Sequence, residues 1–209
     1  MARMRTMVNP NILRWWLCSI VFGSMLPIPA GAGDCSLAQP AQDASGHDVL
    51  DSRFVTVTVD QRDRLWRLWE SGKQLYVDCS PDSGASFSTA VAVNAEPESF
   101  NAAPENRPRL GVYREHLVVV WSRPGKRRFT SDLRISRSVD AGATFSKPGN
   151  LNRDGLGIET GHSFADLSVG PDGSILIAWL DGRDRHRAEA TGGEFHGTSL
   201  YFTRAESPD

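Results

Sequence analysis

The sequence predicts an all-β chain assembled from repeated sheet units, and three observations lead there. Beyond the first thirty residues apolar positions do not recur at helical spacing; short apolar runs are instead broken by Gly, Pro, Asp and Ser. A unit of short strands occurs three times. In each unit the second strand ends in tryptophan, at Trp69, Trp121 and Trp179. The 209 residues bound the chain at one or two domains. With 40% hydrophobic and 23% charged residues, 19 Gly and 12 Pro, it is neither disordered, collagen-like nor a multi-span membrane protein. The formal charge is −2, and the cations, 20 of 23 of them arginine, are scattered rather than gathered in a stripe. Nucleic acid is therefore not an expected partner.

The first 32 residues read as a secretory signal. Arg3, Arg5 and Arg14 form a basic lead without acids, Trp15 to Ile28 is an apolar centre, and Ala30-Gly31-Ala32 offers the small residues of a cleavage site. The apolar run of 14 residues is short of the ~20 that a spanning helix needs, so no stable membrane span is expected after cleavage. The expected location is secreted or periplasmic. Removing 1–32 leaves 25 acidic against 20 basic residues and two cysteines, Cys35 and Cys79. In an oxidising compartment these either pair or stay as free thiols, and the sequence leaves both open. Residues 33–53, rich in Ala, Asp, Gln, Ser and Gly, read as a flexible lead-in.

The remainder, 54–209, divides into repeats near 54–93, 107–150 and 164–209. The first contains Phe54–Val59, Leu65–Trp69 and Gln74–Asp78; the second Arg109–Tyr113, Leu117–Trp121 and Leu133–Ser136; the third Ala165–Val169, Ile175–Trp179 and Ser199–Thr203. Gly170-Pro-Asp-Gly173 is a turn signal between the first two strands of the third repeat. The second strands, such as Leu-Val-Val-Val-Trp121, are apolar without alternation, as expected for strands covered on both faces. A four-stranded unit apolar on both sides must stack on copies of itself, and radial stacking gives a β-propeller.

Two octapeptides carry more specific information. Ser80-Pro-Asp82-Ser-Gly84-Ala-Ser86-Phe87 and Ser138-Val-Asp140-Ala-Gly142-Ala-Thr144-Phe145 share the form S-x-D-x-G-x-[ST]-F. A short aspartate oxygen accepts N–H bonds inside a tight turn, glycine two residues on takes a positive φ, and the aromatic re-enters the core. This pattern resembles the Asp-box, or BNR repeat, of the sialidase-like β-propeller family. The resemblance covers roughly residues 54–209 and implies about three four-stranded antiparallel blades of an incomplete ring. Ser207-Pro208-Asp209 matches the first three positions of a third box, so the chain reads as the front portion of a longer protein or as a truncated reading frame.

In the family that the chain resembles, the boxes are structural and lie away from the ligand mouth. Ser80, Asp82, Gly84, Ser86, Phe87, Ser138, Asp140, Gly142, Thr144 and Phe145 are accordingly expected to hold turns. The resemblance also implies an arginine trio for a sugar carboxylate, a tyrosine nucleophile backed by glutamate, and an aspartate acid/base. The nearest matches are Arg107, in Asn106-Arg107-Pro108-Arg109-Leu110, then Arg123 and Asp132. The isoleucine of the family's Arg-Ile-Pro motif is missing, and the match precedes the second repeat rather than the first. Arg123 belongs to the charged stretch Arg123-Pro-Gly-Lys-Arg-Arg128, whose plain reading is a solvated loop. The tyrosines, Tyr76, Tyr113 and Tyr201, all fall within strands. A second candidate surface is the long segment Asp181 to Thr198, with Asp181, Arg183, His186 and His196 as ligand-loop residues. No metal or cofactor is expected, since His162, His186, His196 and Glu159 have no fixed ligand spacing.

The reading that follows is an exported propeller segment serving as a glycan- or protein-binding or scaffold module and not catalytic on its own. The alternative is the N-terminal part of an exo-sialidase-type glycoside hydrolase. In either case the remaining blades come from a longer parent chain or from self-association.

Overall fold

The alternation Val55-Thr-Val-Thr-Val59 is a β-branched, period-two pattern that suits a half-covered strand. In the computed structural model it is β1 (Val55–Val59), followed by β2 (Leu65–Ser71), β3 (Gln74–Ser80) and the short β4 (Val91–Ala92) in one antiparallel sheet of that order. The second sheet repeats the plan with β5 (Arg109–Tyr113), β6 (His116–Pro124), β7 (Ser131–Ser138) and β8 (Gly149–Asn150). The third contains β9 (His162–Val169), β10 (Ile175–Asp181) and β11 (Ser199–Ala205), with β10 central. The structure describes Cys35, Val49 and residues 52–153, 155, 157 and 159–206. The expected leader at 1–32, most of the lead-in at 33–53 and the begun octapeptide at 207–209 lie outside the described residues.

Register makes the three tryptophans equivalent. Leu65 pairs with Ser80 and Leu117 with Ser138, so Trp69 and Trp121 each stand four residues beyond the partner of an octapeptide serine. In the third sheet Ile175 pairs with Ala205, which puts Trp179 at the same station and Ala205 at the serine's station. Trp69 stacks on Tyr76 and Trp179 on Tyr201, at centroid distances of 6.0 and 6.4 Å.

Faces then follow from the period of two. Leu117, Val119 and Trp121 of β6 pack with Trp66, Leu68, Leu75 and Val77 of the first sheet. Their neighbours Val118 and Val120 point the other way, into a second core with Ile175, Ile177 and Trp179. Covering both faces of β6 explains its unbroken apolar run, and each such side chain contributes about 1.5–3 kcal/mol on burial. The first strands of the sheets also lie side by side, β5 between β1 and β9. Gly111 of β5 sits there because a Cβ would come within 2.4 Å of Leu167 Cδ2 and 2.8 Å of Val169 Cγ2.

The register also reveals a repeat that the sequence hides. Asn94 and Asn152, equally far beyond Ser80 and Ser138, accept the backbone N–H of Leu75 and of Leu133 at 2.7 and 2.8 Å. Each asparagine thereby ties the chain leaving the fourth strand back to the start of the third.

Cys35 and Cys79 are joined by a disulfide with a Cα–Cα distance of 5.7 Å, which resolves the alternatives left by the sequence. Closing a loop of sequence separation 44 stabilises the fold by about 4 kcal/mol in the chain-entropy picture. The segment expected as a long loop after Asp181 contains instead a helix, α1 (Arg183–Ala190). Its sequence, Arg-Asp-Arg-His-Arg-Ala-Glu-Ala, has no β-branched or glycine residue, and Asp184 pairs with Arg187 at 3.2 Å across one turn. No helix among the described residues is long and apolar enough to cross a membrane.

Candidate functional site

The antiparallel order separates the molecule into two ends. β3 and β7 run toward Ser80 and Ser138, whereas β6 runs the opposite way toward Arg123, and β5 starts beside that far end. The octapeptides therefore occupy one end, and Arg107, Arg123 and Asp132 the other.

At the octapeptide end the two turns match bond for bond. Ser80 Oγ donates to Asp82 Oδ1 (2.7 Å) and accepts from Gly84 N (2.7 Å), while Ser86 N and Oγ donate to the two carboxylate oxygens at 2.8 and 2.6 Å. Ser138, Asp140, Gly142 and Thr144 repeat these bonds at 2.7, 2.8, 3.0 and 2.5 Å. The donated bonds, led by the Ser86 hydroxyl, pull the Asp82 carboxyl down to about 2. For Asp140 burial works upward, but the bonds from Thr144 and Ser138 outweigh it and the shift is also downward. Gly84 (φ 94°) and Gly142 (φ 83°) take the left-handed conformation the turn requires, and so do Ser83 and Ala141 before them, at 58° and 56°. Phe145 packs on the core between the first two sheets. Phe87 does not enter that core; it lies beneath the guanidinium of Arg67, 3.2 Å from its ring centre. Each carboxylate thus accepts three bonds from its own turn, two at Oδ1 and one at Oδ2, which is the work of a turn-holding residue.

The opposite end is different. Arg123 is not in a loop: β6 runs on to Pro124, and Arg123 pairs directly with Asp132 on β7. Arg123 Nη2 meets Asp132 Oδ2 at 2.8 Å with both side chains about one-third exposed, 37% and 34%. Asn152 Nδ2 holds the other carboxylate oxygen at 3.2 Å. Burial pushes Asp132 up, yet Arg123 and Asn152 together hold it below the usual carboxylate range, so it stays ionised at neutral pH. Behind the pair, Glu98 accepts from Trp121 Nε1 at 2.5 Å and lies 3.5 Å from Arg134 Nε and 3.9 Å from Arg123 Nη1. Arg107 is exposed just before β5. Its neighbour Asn106 is buried and accepts the N–H of Phe164 at 2.7 Å, which links this corner to the third sheet. Phe164 (φ 55°) and Phe129 (φ 62°) are held left-handed, a conformation costing roughly 1–2 kcal/mol for a residue with a Cβ. Phe129 is 83% exposed on the β6–β7 loop.

The four ligand-loop candidates do not come together as a surface. Asp181 is wholly buried at the end of β10, where it accepts from Trp179 Nε1 (2.8 Å) and from Arg183 N and Nη2 (2.9 and 2.6 Å). His162 Nε2 lies 3.5 Å away and bonds the Thr160 hydroxyl at 3.1 Å. Desolvation raises the Asp181 carboxyl, but the Arg183 bonds prevail and keep it low. A carboxylate placed just past a tryptophan strand is consumed in fixing the β10–α1 corner, and Arg183 covers Tyr201 at 4.1 Å from its ring centre. His186 lies on α1, 3.7 Å from Glu189, and His196 is exposed beside Glu194 at 3.3 Å. Among the described residues no group of three or more His, Cys, Asp or Glu side chains is arranged to hold a metal ion. Glu98 and Asn152 escaped the sequence reading because only strand register shows that they converge on Arg123 and Asp132.

No protein-family model matches the chain, and no curated protein sequence matches it. Solved structures do resemble it. An α-L-arabinofuranosidase of Fusarium graminearum superposes over 78% of this chain and 47% of its own, at 12% identity and a TM-score of 0.51. An endo-arabinase of Bacteroides thetaiotaomicron covers 72% and 55% at 13% identity (TM-score 0.43), and a sialidase of Streptococcus pneumoniae covers 56% and 25% at 11% (TM-score 0.34). The chain thus spans less than half the length of the Fusarium enzyme. What the likeness establishes is architecture: the three sheets are successive blades of the β-propeller type on which glycoside hydrolases are built.

Proposed function

We propose that this chain is an exported propeller segment of the sialidase-like kind whose Arg107–Arg123–Asp132 end recognises a glycan, serving as a binding or scaffold module rather than as a catalyst by itself. The observation that carries the reading is the contrast between the two ends. Carboxylates at one end hold their own turns, while the other end presents a guanidinium–carboxylate pair, each partner about one-third exposed, together with the exposed Arg107 and Phe129. Such a set offers paired donors, acceptors and an apolar face, which is what sugar hydroxyls and C–H faces require. The disulfide supports an oxidising compartment, and the fold shared with glycosidases supports the ligand class.

The second reading, the front part of an exo-acting glycoside hydrolase, is favoured by the order Arg107, Arg123, Asp132. Against it stands the clamped state of Asp132: a carboxylate held ionised by Arg123 has no proton to donate as general acid at neutral pH. Glycan-array binding by the full chain, with Arg123→Ala and Asp132→Asn beside it, tests the proposal. Saccharide binding that drops about tenfold or more in both variants is expected; binding indifferent to both removes the site. Release of fluorophore from a sialoside or arabinofuranoside by the unaltered chain would transfer the case to the hydrolase reading.

A further inference from the structure

The β6–β7 loop holds the Glu159 carboxylate on its backbone amides. Gly125 N donates to Thr130 O at 2.8 Å, Thr130 N donates to Arg127 O at 3.2 Å, and the Thr130 hydroxyl donates to Arg127 O at 2.7 Å. This closed turn leaves the N–H groups of Lys126 and Arg127 directed to one spot, and there the Glu159 carboxylate sits. Lys126 N reaches Oε1 and Oε2 at 3.2 and 3.1 Å, Arg127 N reaches Oε2 at 3.0 Å, and the Thr130 hydroxyl lies 3.3 Å from Oε2. Successive backbone N–H groups converging in this way form a nest with affinity for carboxylates.

Two further features fit an anion at this spot. Gly125 makes room for the Thr130 side chain and, less tightly, for the carboxylate: a Cβ there would stand 2.3 Å from Thr130 Oγ1 and 3.3 Å from Glu159 Oε2. The rim is cationic, with Lys126, Arg127 and Arg128 in succession, while Arg123 is engaged with Asp132. Phe129, next to Thr130 in the same loop, is exposed and has the Arg128 guanidinium 4.5 Å from its ring centre. A flat apolar ring next to a carboxylate receptor matches a sugar that carries a carboxyl group: the ring face covers the aromatic and the carboxylate enters the nest. A plain acidic peptide has no such face.

Resting on the glycan reading above and sharpening it, we propose that the nest at Lys126–Thr130 is a binding site for a carboxylate-bearing saccharide, and that Glu159 is an internal ligand which the saccharide displaces. Because Glu159 competes from the same chain at high effective concentration, the unaltered protein binds such a sugar weakly. Removing the competitor raises the affinity.

The test uses the full chain, labelled with nitrogen-15, and titrates trigalacturonate, neutral galactotriose and triglutamate into the unaltered protein and Glu159→Ala. The expected result is about tenfold tighter trigalacturonate binding in Glu159→Ala, with the Lys126 and Arg127 amide resonances moving and little response to the other two probes. Glu159→Gln, which keeps the side chain but weakens its hold, gives a smaller gain, and adding Phe129→Ala to Glu159→Ala reduces binding severalfold. Unshifted Ser131 and His162 amides report that the neighbouring strands are intact in each variant. Equal affinity in Glu159→Ala and the unaltered chain, or stationary Lys126 and Arg127 amides, overturns the proposal. Triglutamate binding as tightly as the saccharide replaces the sugar by an acidic peptide. Galactotriose bound equally by both forms, with shifts around Arg123 alone, sinks this inference while the broader glycan reading survives; no response to any saccharide sinks both.

Discussion

Asp82 and Asp140 illustrate how a single carboxylate fixes a turn. Each receives three donated bonds from its own octapeptide, and each is more acidic in the fold than in an unfolded chain, where the carboxyl titrates near ~3.9. A depressed folded value means the aspartate stabilises the protein above pH ~4 and ceases to do so as the pH falls toward the folded value. Acid melts should therefore show a loss of stability that sets in below about pH 4 and continues to about pH 2, the value held by Asp82. In Asp140→Ala part of that acid sensitivity disappears, and urea denaturation at pH 7 registers a loss of about 1–3 kcal/mol from the Ser138 hydroxyl and the Thr144 N–H and hydroxyl, which lose their acceptor. A variant with unchanged urea midpoint and unchanged acid limb would show that the turn does not depend on the carboxylate. At this scale the turn's hydrogen bonds were legible, since donors, acceptor and glycine lie within eight consecutive residues, whereas the place of Phe87 under Arg67 was not. Arg123 was misjudged for the converse reason: its role depends on Asp132 across the strand pair, and the Pro-Gly that follows drew the expected loop boundary too early.

Among the elements, β6 and α1 show opposite degrees of legibility. The run Leu117-Val-Val-Val-Trp121 announces a strand covered on both sides, and the structure sends alternate residues into two cores. The segment after Asp181 reads from composition as polar connection, and whether such a stretch coils or forms a helix is decided by what anchors its ends. Here Asp181 grips Arg183 and Asp184 accepts the hydroxyls of Ser199 and Tyr201 at 2.7 and 2.9 Å, closing the helix onto β11. Close packing of the first strands gives the element-level prediction. Gly111→Val must push Leu167 and Val169 aside, and a loss of about 1–3 kcal/mol in thermal or urea melts is expected, whereas the same change at Gly149, which has no neighbour within 4 Å, is expected to be tolerated. Equal effects at the two glycines would contradict the placement of β5 against β9.

At the largest scale the described sheets form a stack in which every sheet needs a neighbour on each side. The second sheet has both, and its faces are buried. On the first sheet Val55, Val57 and Val59 face away from β5 and stay in water, with Val57 59% exposed; on the third, Leu176, Leu200 and Phe202 do the same, the last at 69%. Apolar sheet faces of this kind drive association. Light scattering on the purified chain is expected to show species larger than a monomer, and Val57→Lys together with Phe202→Lys is expected to shift them toward monomer without a change in the β-sheet circular dichroism. A purified chain that scatters as a monomer and melts cooperatively overturns this expectation.

Local order was decided by the sequence itself: the all-β class, the three-fold repeat, the equivalent tryptophans and both octapeptide turns follow from residues that are neighbours along the chain, where hydrogen-bonding capacity and period suffice. The tertiary structure alone decided which distant groups meet. The Cys35–Cys79 bond, the Arg123–Asp132 pair with Glu98 and Asn152 behind it, the burial of Asp181 and the seating of Glu159 in the 125–130 loop all depend on strand register and sheet stacking. Those are set by the sum of many weak contacts across the fold, and no single stretch of sequence contains that sum.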